Sequence, residues 1–228
     1  MIEEPPLLTI KKTLRRPTAQ QVAAFQDVPA SVVADAQAGG ALDRAIEPLP
    51  GGPTRTVGVA VTADSGPGDI LALMAALAVI EAGDVIVTAF GGYAGCAVAG
   101  DRVAGMMMNT GAVGLVTDGP VRDIDGILAT GLPVWCNGLT PASPYSNGPG
   151  WVGFPVQVGG QRVETGDIVV ADKDGVVIVP FEEIDRVADR AHEILSMEAA
   201  LDAEVSGGRK TFSRVDEIMQ GPRTRYIE

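Results

Sequence analysis

Apolar positions along this chain recur with two periods, and the switches between them divide it into strands and helices. Pro53 to Ala63, "PTRTVGVAVTA", alternates β-branched and small residues and predicts a strand. "GPGDILALMAALAVIEAGD" follows, predicting a helix that Asp69 caps, that is apolar nearly all round, and that ends at Gly83. A helix of that kind is buried. "DVIVTAF", Asp84 to Phe90, predicts a second strand, and after the Gly-rich "GGYAG" the stretch "RVAGMMMN" beyond Asp101 predicts another helix. "GAVGLVTDG" is continuously apolar, the pattern of a strand buried on both faces. Strand, helix and strand together make a parallel crossover unit.

Two further zones flank this unit. Upstream, "PASVVADAQAGGA" predicts a short helix with Ser31 as its N-cap. Downstream, "GLPVWCNG" predicts a strand and "TPASPYSNGPGW" a loop, by its density of Pro, Ser, Asn and Gly. "FPVQVGGQRV" and "DIVVADKDGVVIVP" then place Gly-Gly and Asp174-Gly175 between alternating or apolar runs, the hairpin pattern, so an antiparallel element closes the sheet. The last long helix carries Ile184, Val187, Ala188, Ala191, Ile194 and Leu195 on one stripe. The fold class is α/β, a single compact domain with a mixed sheet flanked by helices. Residues 1–27 read as an arm that packs on the body or on a neighbouring subunit. Residues 28–180 read as the core and 181–228 as a C-terminal helix and tail.

Composition narrows the function classes. With 228 residues, 46% of them apolar and 20% charged, the chain can bury a sizeable core. A net charge of −12 argues against nucleic acid, whose binding relies on Lys and Arg against phosphate. The one basic run, Lys11 to Arg16, reads as a solvated arm. Cys96 and Cys136 have neither zinc nor disulfide spacing, which fits a reducing cytoplasm. The N-terminal segment lacks the order of a signal peptide, and the longest apolar run, Ile70 to Ile80, is too short for a membrane span. No membrane partner is expected.

Three segments carry candidate chemistry. "GGYAG" is neither a dinucleotide nor a Walker pattern; it reads as a tight turn, or as a loop whose backbone N–H groups, with the helix start at Gly100 to Val103, suit a carboxylate or phosphate. In "TDGPVRDID", Asp123 is either the N-cap of a following helix or part of a site at the carboxyl end of a strand. In the second reading Arg122 clamps a carboxylate and Asp123 holds a divalent ion directly or through water. Glu198 falls on the apolar stripe of the last helix, where a carboxylate needs a partner; either the stripe is solvated there or the helix end reaches a neighbour's site. "ADKDG" lacks the closing Glu of a calcium loop, and the lone His192 leaves no His-dependent triad.

"GDRVAG", the twenty residues from Arg102 to Val121 between Asp101 and Arg122-Asp123, and "GDIVVADKDGVVIVP" together resemble the family of regulator of ribonuclease E activity A, RraA, and the class II pyruvate aldolases of its fold. The family's best-known enzyme is 4-hydroxy-4-methyl-2-oxoglutarate aldolase, also called 4-carboxy-4-hydroxy-2-oxoadipate aldolase. The resemblance runs from about Val28 to Pro180, and implies the RraA-like fold of swivelling-domain type.

It implies that Gly100, Asp101, Arg102, Val103 and Arg122 bind the substrate, that Asp123 belongs to a Mg2+ or Mn2+ site, and that Glu198 reaches the next subunit's site. Asp101, Arg122 and Glu198 are then the catalytic residues. The implied activity is metal-dependent retro-aldol release of pyruvate from a 4-hydroxy-2-oxo acid, with oxaloacetate decarboxylation by the same enolate chemistry. The implied assembly is a homotrimer or homohexamer. The alternative within the resemblance is a non-catalytic regulator that binds a ribonuclease or another protein. Arg102 stands where leucine is usual, and Cys136-Asn137 where Ala-Arg is common, so the far end of the substrate is expected to differ from the usual one.

Overall fold

The computed structural model describes Glu4 and residues 6–228. In chain order the elements are β1 (Leu8–Ile10), α1 (Ala19–Ala23), α2 (Ala30–Gln37), β2 (Glu47–Pro48), β3 (Thr56–Asp64), α3 (Leu71–Ala76), β4 (Asp84–Ala89), α4 (Asp101–Thr110), β5 (Gly114–Thr117) and α5 (Ile124–Thr130). They continue with β6 (Val134–Cys136), β7 (Gly150–Val152), β8 (Val156–Val158), β9 (Gln161–Val163), β10 (Ile168–Asp172), β11 (Gly175–Val179), a 3-10 turn at Phe181–Glu183, α6 (Ile184–Ser206) and α7 (Ser213–Gln220).

Four parallel strands, β3-β4-β5-β6, form the centre of the main sheet. Every residue of β4 and β5 is buried, as strands covered on both faces require. The free edge of β3 is shared: β10 pairs antiparallel with its first half, and β7 with its end at Ala63 and Asp64. The β10–β11 hairpin therefore extends the sheet as an antiparallel element. The other predicted hairpin differs, because β8 and β9 form a separate two-stranded sheet. Val156, Val158 and Val163 from that sheet pack with Val85, Val87 and Val116 on one face of the main sheet. On the other face Ile86 and Leu115 meet Leu73 of α3, Ala104 and Met107 of α4, and Ile127 of α5. A third cluster joins α2 and α6 to the β10–β11 hairpin and takes in Phe25.

The mixed α/β fold is as the periodicity predicts, but several local features differ. The helix at Ala30 starts from Pro29, with no side-chain cap, so Ser31 lies inside it. Proline there sets the chain direction without needing a cap, since its ring fixes φ. Helix α3 stops at Ala76, well short of Gly83, and continues as tight turns to Ile80. The Asp84 carboxylate accepts the Glu81 N–H at 2.7 Å and so ties the end of that segment.

The arginine end of the basic run is not a solvated arm, although Lys11 and Lys12 are exposed. Arg16 pairs with Asp84 through two hydrogen bonds of 2.5 and 2.9 Å, and the Asp84 side chain is 1% exposed. The guanidinium of Arg15 stacks over Phe181 at 4.2 Å. A buried carboxylate requires a cation, and this one draws it from 68 residues upstream. The preceding β1 pairs in parallel with β7. Among the described residues no helix is long and apolar enough to cross a membrane.

Candidate active site at the ends of two parallel strands

The parallel strands β4 and β5 end at the same edge of the sheet, and the chain that leaves each contributes half of a cleft. Beyond β4, the segment to Gly100 leads into α4, whose N-cap is Gly100 itself, with no side-chain cap. Ala104 N–H bonds to Gly100, and Arg102 N–H donates to Asp101 Oδ1 at 2.7 Å. The N–H groups of Asp101 and Val103 have no acceptor among the described residues, so this helix start presents free donors beside a positive helix end. At its far end α4 closes on Gly111 in the left-handed region, and the chain turns directly into β5.

Beyond β5, Gly119-Pro120 carries the chain back across this helix start. Val98 N–H donates to Pro120 at 2.7 Å and Arg122 N–H to Ala99 at 3.0 Å, which ties the two halves together. Asp123 stands at the N-cap position of α5 but makes no capping hydrogen bond with its side chain. Its φ is 57°, one of two positive values among the described non-glycine residues. Aspartate tolerates this conformation better than most residues, and strain of this kind collects at sites. The carboxylate faces Arg122, with Oδ2 3.3 Å from Nε. Arg122 Nη1 also donates to Ser143 Oγ at 2.6 Å, so the guanidinium is held from two sides.

Two glycines allow this approach. A Cβ on Gly100 would lie 2.6 Å from Asp123 Oδ2, and one on Gly126 would lie 2.5 Å from Asp101 Cβ. The result is a cleft of ≈350 Å³ lined by Gly100, Asp101, Arg102, Val103, Arg122 and Asp123. Six of the seven residues singled out from the sequence thus meet in one place. Glu198 is the seventh, and within the single chain it is exposed elsewhere. It lies on α6 in an apolar groove with Ile194, Met197 and Leu201.

Some contributors escaped the reading of the sequence. Ser143 lies in a loop without periodicity, so nothing local marks it. The N–H groups of the Gly-rich loop are partly used within the protein, since Phe90 and Gly92 donate to Asp118 at 2.6 and 2.9 Å. Burial raises the Asp118 carboxyl above its usual range, while those two N–H bonds pull in the opposite direction.

A divalent ion fits this donor set as a hydrated hard cation. Among the described residues no group of three His, Cys, Asp or Glu side chains could enclose a metal, which disfavours a zinc-like cage. Asp101 and Asp123 line the same cleft, and magnesium binds through one or two carboxylates while keeping several waters.

Comparison with known proteins agrees with the fold. Residues 30–178 match the model of the RraA-like family, described as Aldolase/RraA. Over 188 residues the chain is 35% identical to a Halalkalibacterium halodurans protein provisionally named 4-hydroxy-4-methyl-2-oxoglutarate aldolase, covering 80% of this chain and 87% of that one. A Streptomyces coelicolor structure, RraAS2, is described as an unusual member of the RNase ES inhibitor RraA protein family. It superposes with a TM-score of 0.74 at 27% identity, covering 83% of this chain and 100% of that one. An uncharacterized Pseudomonas syringae structure gives a TM-score of 0.74 at 25% identity, covering 86% and 96%. By sequence and by fold, the chain belongs to the RraA-like, Aldolase/RraA family.

Proposed function

We propose that the chain is a divalent-metal-dependent lyase that cleaves a 4-hydroxy-2-oxo acid by a retro-aldol reaction and releases pyruvate. The observation that carries this reading is the convergence of Arg122, Asp123, Asp101 and the open first turn of α4 on one cleft of ≈350 Å³. A 2-oxo acid presents a carboxylate next to a carbonyl. The free N–H groups of Asp101 and Val103 and the forked guanidinium of Arg122 are donors of the matching kind. The aldolase name of the Halalkalibacterium halodurans relative supports the same class.

In the reaction, a base removes the proton of the C4 hydroxyl, the C4–O electrons form a carbonyl, and the C3–C4 bond breaks. The electron pair of that bond moves into the pyruvate half, where negative charge gathers on the keto oxygen until C3 is protonated. Arg122 holds the substrate carboxylate and shares that developing charge. Asp101, half-buried at the helix start, holds the water that takes the hydroxyl proton, together with Glu198 of a neighbouring subunit in a homotrimer or homohexamer. Mg2+ or Mn2+, held by Asp123 and water, would supply Lewis-acid polarisation of the keto oxygen. Among the described residues no lysine lines the cleft, and the proposed reaction requires no Schiff base. The same charge stabilisation serves oxaloacetate decarboxylation, in which CO2 leaves C3 of the bound acid.

A second reading, a non-catalytic regulator that binds a ribonuclease or another protein, is favoured by one observation: the RraAS2 structure is covered completely by this chain. Pyruvate release from 4-hydroxy-4-methyl-2-oxoglutarate and oxaloacetate, measured with Mg2+ and with a chelator, separates the two. Metal-dependent release supports the lyase, and no release from these acids or from any other 4-hydroxy-2-oxo acid, those with an apolar far end included, supports the regulator.

A further inference from the structure

A second pocket adjoins the cleft and shares two of its walls. Past Arg122 and Asp123, which line both lobes, a groove of ≈250 Å³ is formed by Val121, Ile124, Leu139, Thr140 and Pro141. Four of these five side chains are apolar, and Leu139 is 54% exposed, so it offers apolar surface that no other described residue covers fully. The walls are tied by backbone: Val121 N–H donates to Gly138 and Thr140 N–H donates to Val121, both at 3.0 Å. The groove is therefore preformed rather than assembled on binding.

Charge is distributed unequally between the lobes. The first holds Arg102, Arg122 and the free N–H groups of α4. Among the described residues the second has no Lys, Arg or His other than Arg122, which the head carboxylate in the first lobe would claim. A carboxylate at the far end of a substrate would meet Leu139, Ile124 and Pro141 and the like charge of Asp123. It would lose water without gaining a cation. An alkyl or aryl end would bury apolar surface instead. Since a dry cavity of about 150 Å³ takes a benzene ring, a ring-sized group fits the space.

We propose that this second lobe selects 2-oxo acids whose far end is uncharged and apolar over 2-oxo dicarboxylates of equal length. The inference rests on the assignment of the first lobe to the 2-oxo acid head. It narrows the 4-hydroxy-2-oxo acid class to members that release an apolar aldehyde or ketone along with pyruvate.

The test is calorimetric binding, in the presence of Mg2+, of pyruvate, 2-oxohexanoate and 2-oxoadipate to the protein and to Leu139→Arg. The two longer acids have the same chain length, differ in a terminal methyl against a carboxylate, and carry no 4-hydroxyl to cleave. The expected result is that 2-oxohexanoate binds at least about tenfold more tightly than 2-oxoadipate, and that Leu139→Arg removes or reverses the preference. Equal or tighter binding of 2-oxoadipate, or a preference unmoved by Leu139→Arg, overturns the proposal. Binding of pyruvate alone overturns the groove assignment and leaves the head site standing. The predicted preference without any pyruvate release from hydroxylated acids supports the groove and overturns only the lyase reading. Leu139 is largely exposed, so the arginine variant is expected to fold, and circular dichroism checks it.

Discussion

Asp123 Oδ2 lies 3.3 Å from Arg122 Nε although the two residues are adjacent in sequence. Neighbouring side chains diverge in regular helices and strands. Here the left-handed turn at Asp123 lets both face one cleft, across the Cβ-free surface of Gly100. In the proposed reaction this pair would bring the substrate carboxylate and the metal ion together.

Replacing Arg122 tests the guanidinium directly. Arg122→Ala is expected to lower kcat/KM for pyruvate release by about 10²–10³-fold while the thermal midpoint stays close to that of the wild type, because the side chain faces solvent at a cleft. Arg122→Lys is expected to recover little, since an ammonium cannot reproduce the fork that Ser143 and a carboxylate share. Steady-state kinetics beside a thermal melt checks both, and normal turnover by Arg122→Ala would remove this residue from the site.

Gly100→Ala separates crowding from folding. The backbone there is extended and accepts alanine, yet the new Cβ would sit 2.6 Å from Asp123 Oδ2. The carboxylate must move, so Mg2+ affinity and turnover are expected to fall by about 10–100-fold with little change in stability. Metal titration followed by activity is the measurement; unchanged metal affinity would show that Asp123 does not bind the ion.

Glu198 is tested by mixing. If it acts in a neighbouring subunit's site, inactive Asp123→Ala and inactive Glu198→Ala chains are expected to regain part of the activity when refolded together, because some sites then contain both native residues. Mixed oligomers as inactive as their parents would argue against a shared site.

The fold was legible where the signal is local and periodic. The crossover unit could be read from "DVIVTAF" and "GAVGLVTDG", and with it the reason Asp101 and Arg122 meet: an α4 of ten residues ending on a left-handed Gly111 returns the chain to the same sheet edge. What stayed hidden depends on distant partners. Composition marks Arg16 as basic but cannot show that a buried Asp84 claims it. An all-round apolar pattern gives α3 no directional face, so its end at Ala76 has no signature. Ser143 sits in a loop, where only the folded chain brings it to Arg122.

The Arg16–Asp84 pair predicts a stability effect far from the cleft. Removing the cation leaves a carboxylate 1% exposed without its partner, so Arg16→Ala is expected to lose roughly 3 kcal/mol and about 10 °C in thermal midpoint. Urea and thermal denaturation measure it. A change within about 0.5 kcal/mol would place Arg16 among ordinary surface residues.

The two cysteines predict a pH effect. Burial pushes the Cys136 thiol up to about 11 and raises Cys96 as well. Because the thiolate is the reactive form, a thiol reagent at pH 8 is expected to titrate neither cysteine in the native protein and both after unfolding. With the folded value raised, the Cys136 contribution to stability is complete below its ordinary 9.0 and is lost as pH rises toward about 11. Fast labelling of the native protein would contradict the burial.

The most direct test of the central claim is pyruvate release from a panel of 4-hydroxy-2-oxo acids by the purified protein, followed with Mg2+, with Mn2+ and with chelator, beside Arg122→Ala. The account predicts release that requires the metal and disappears in the variant. Release from none of the acids, or release that Arg122→Ala leaves intact, would contradict it.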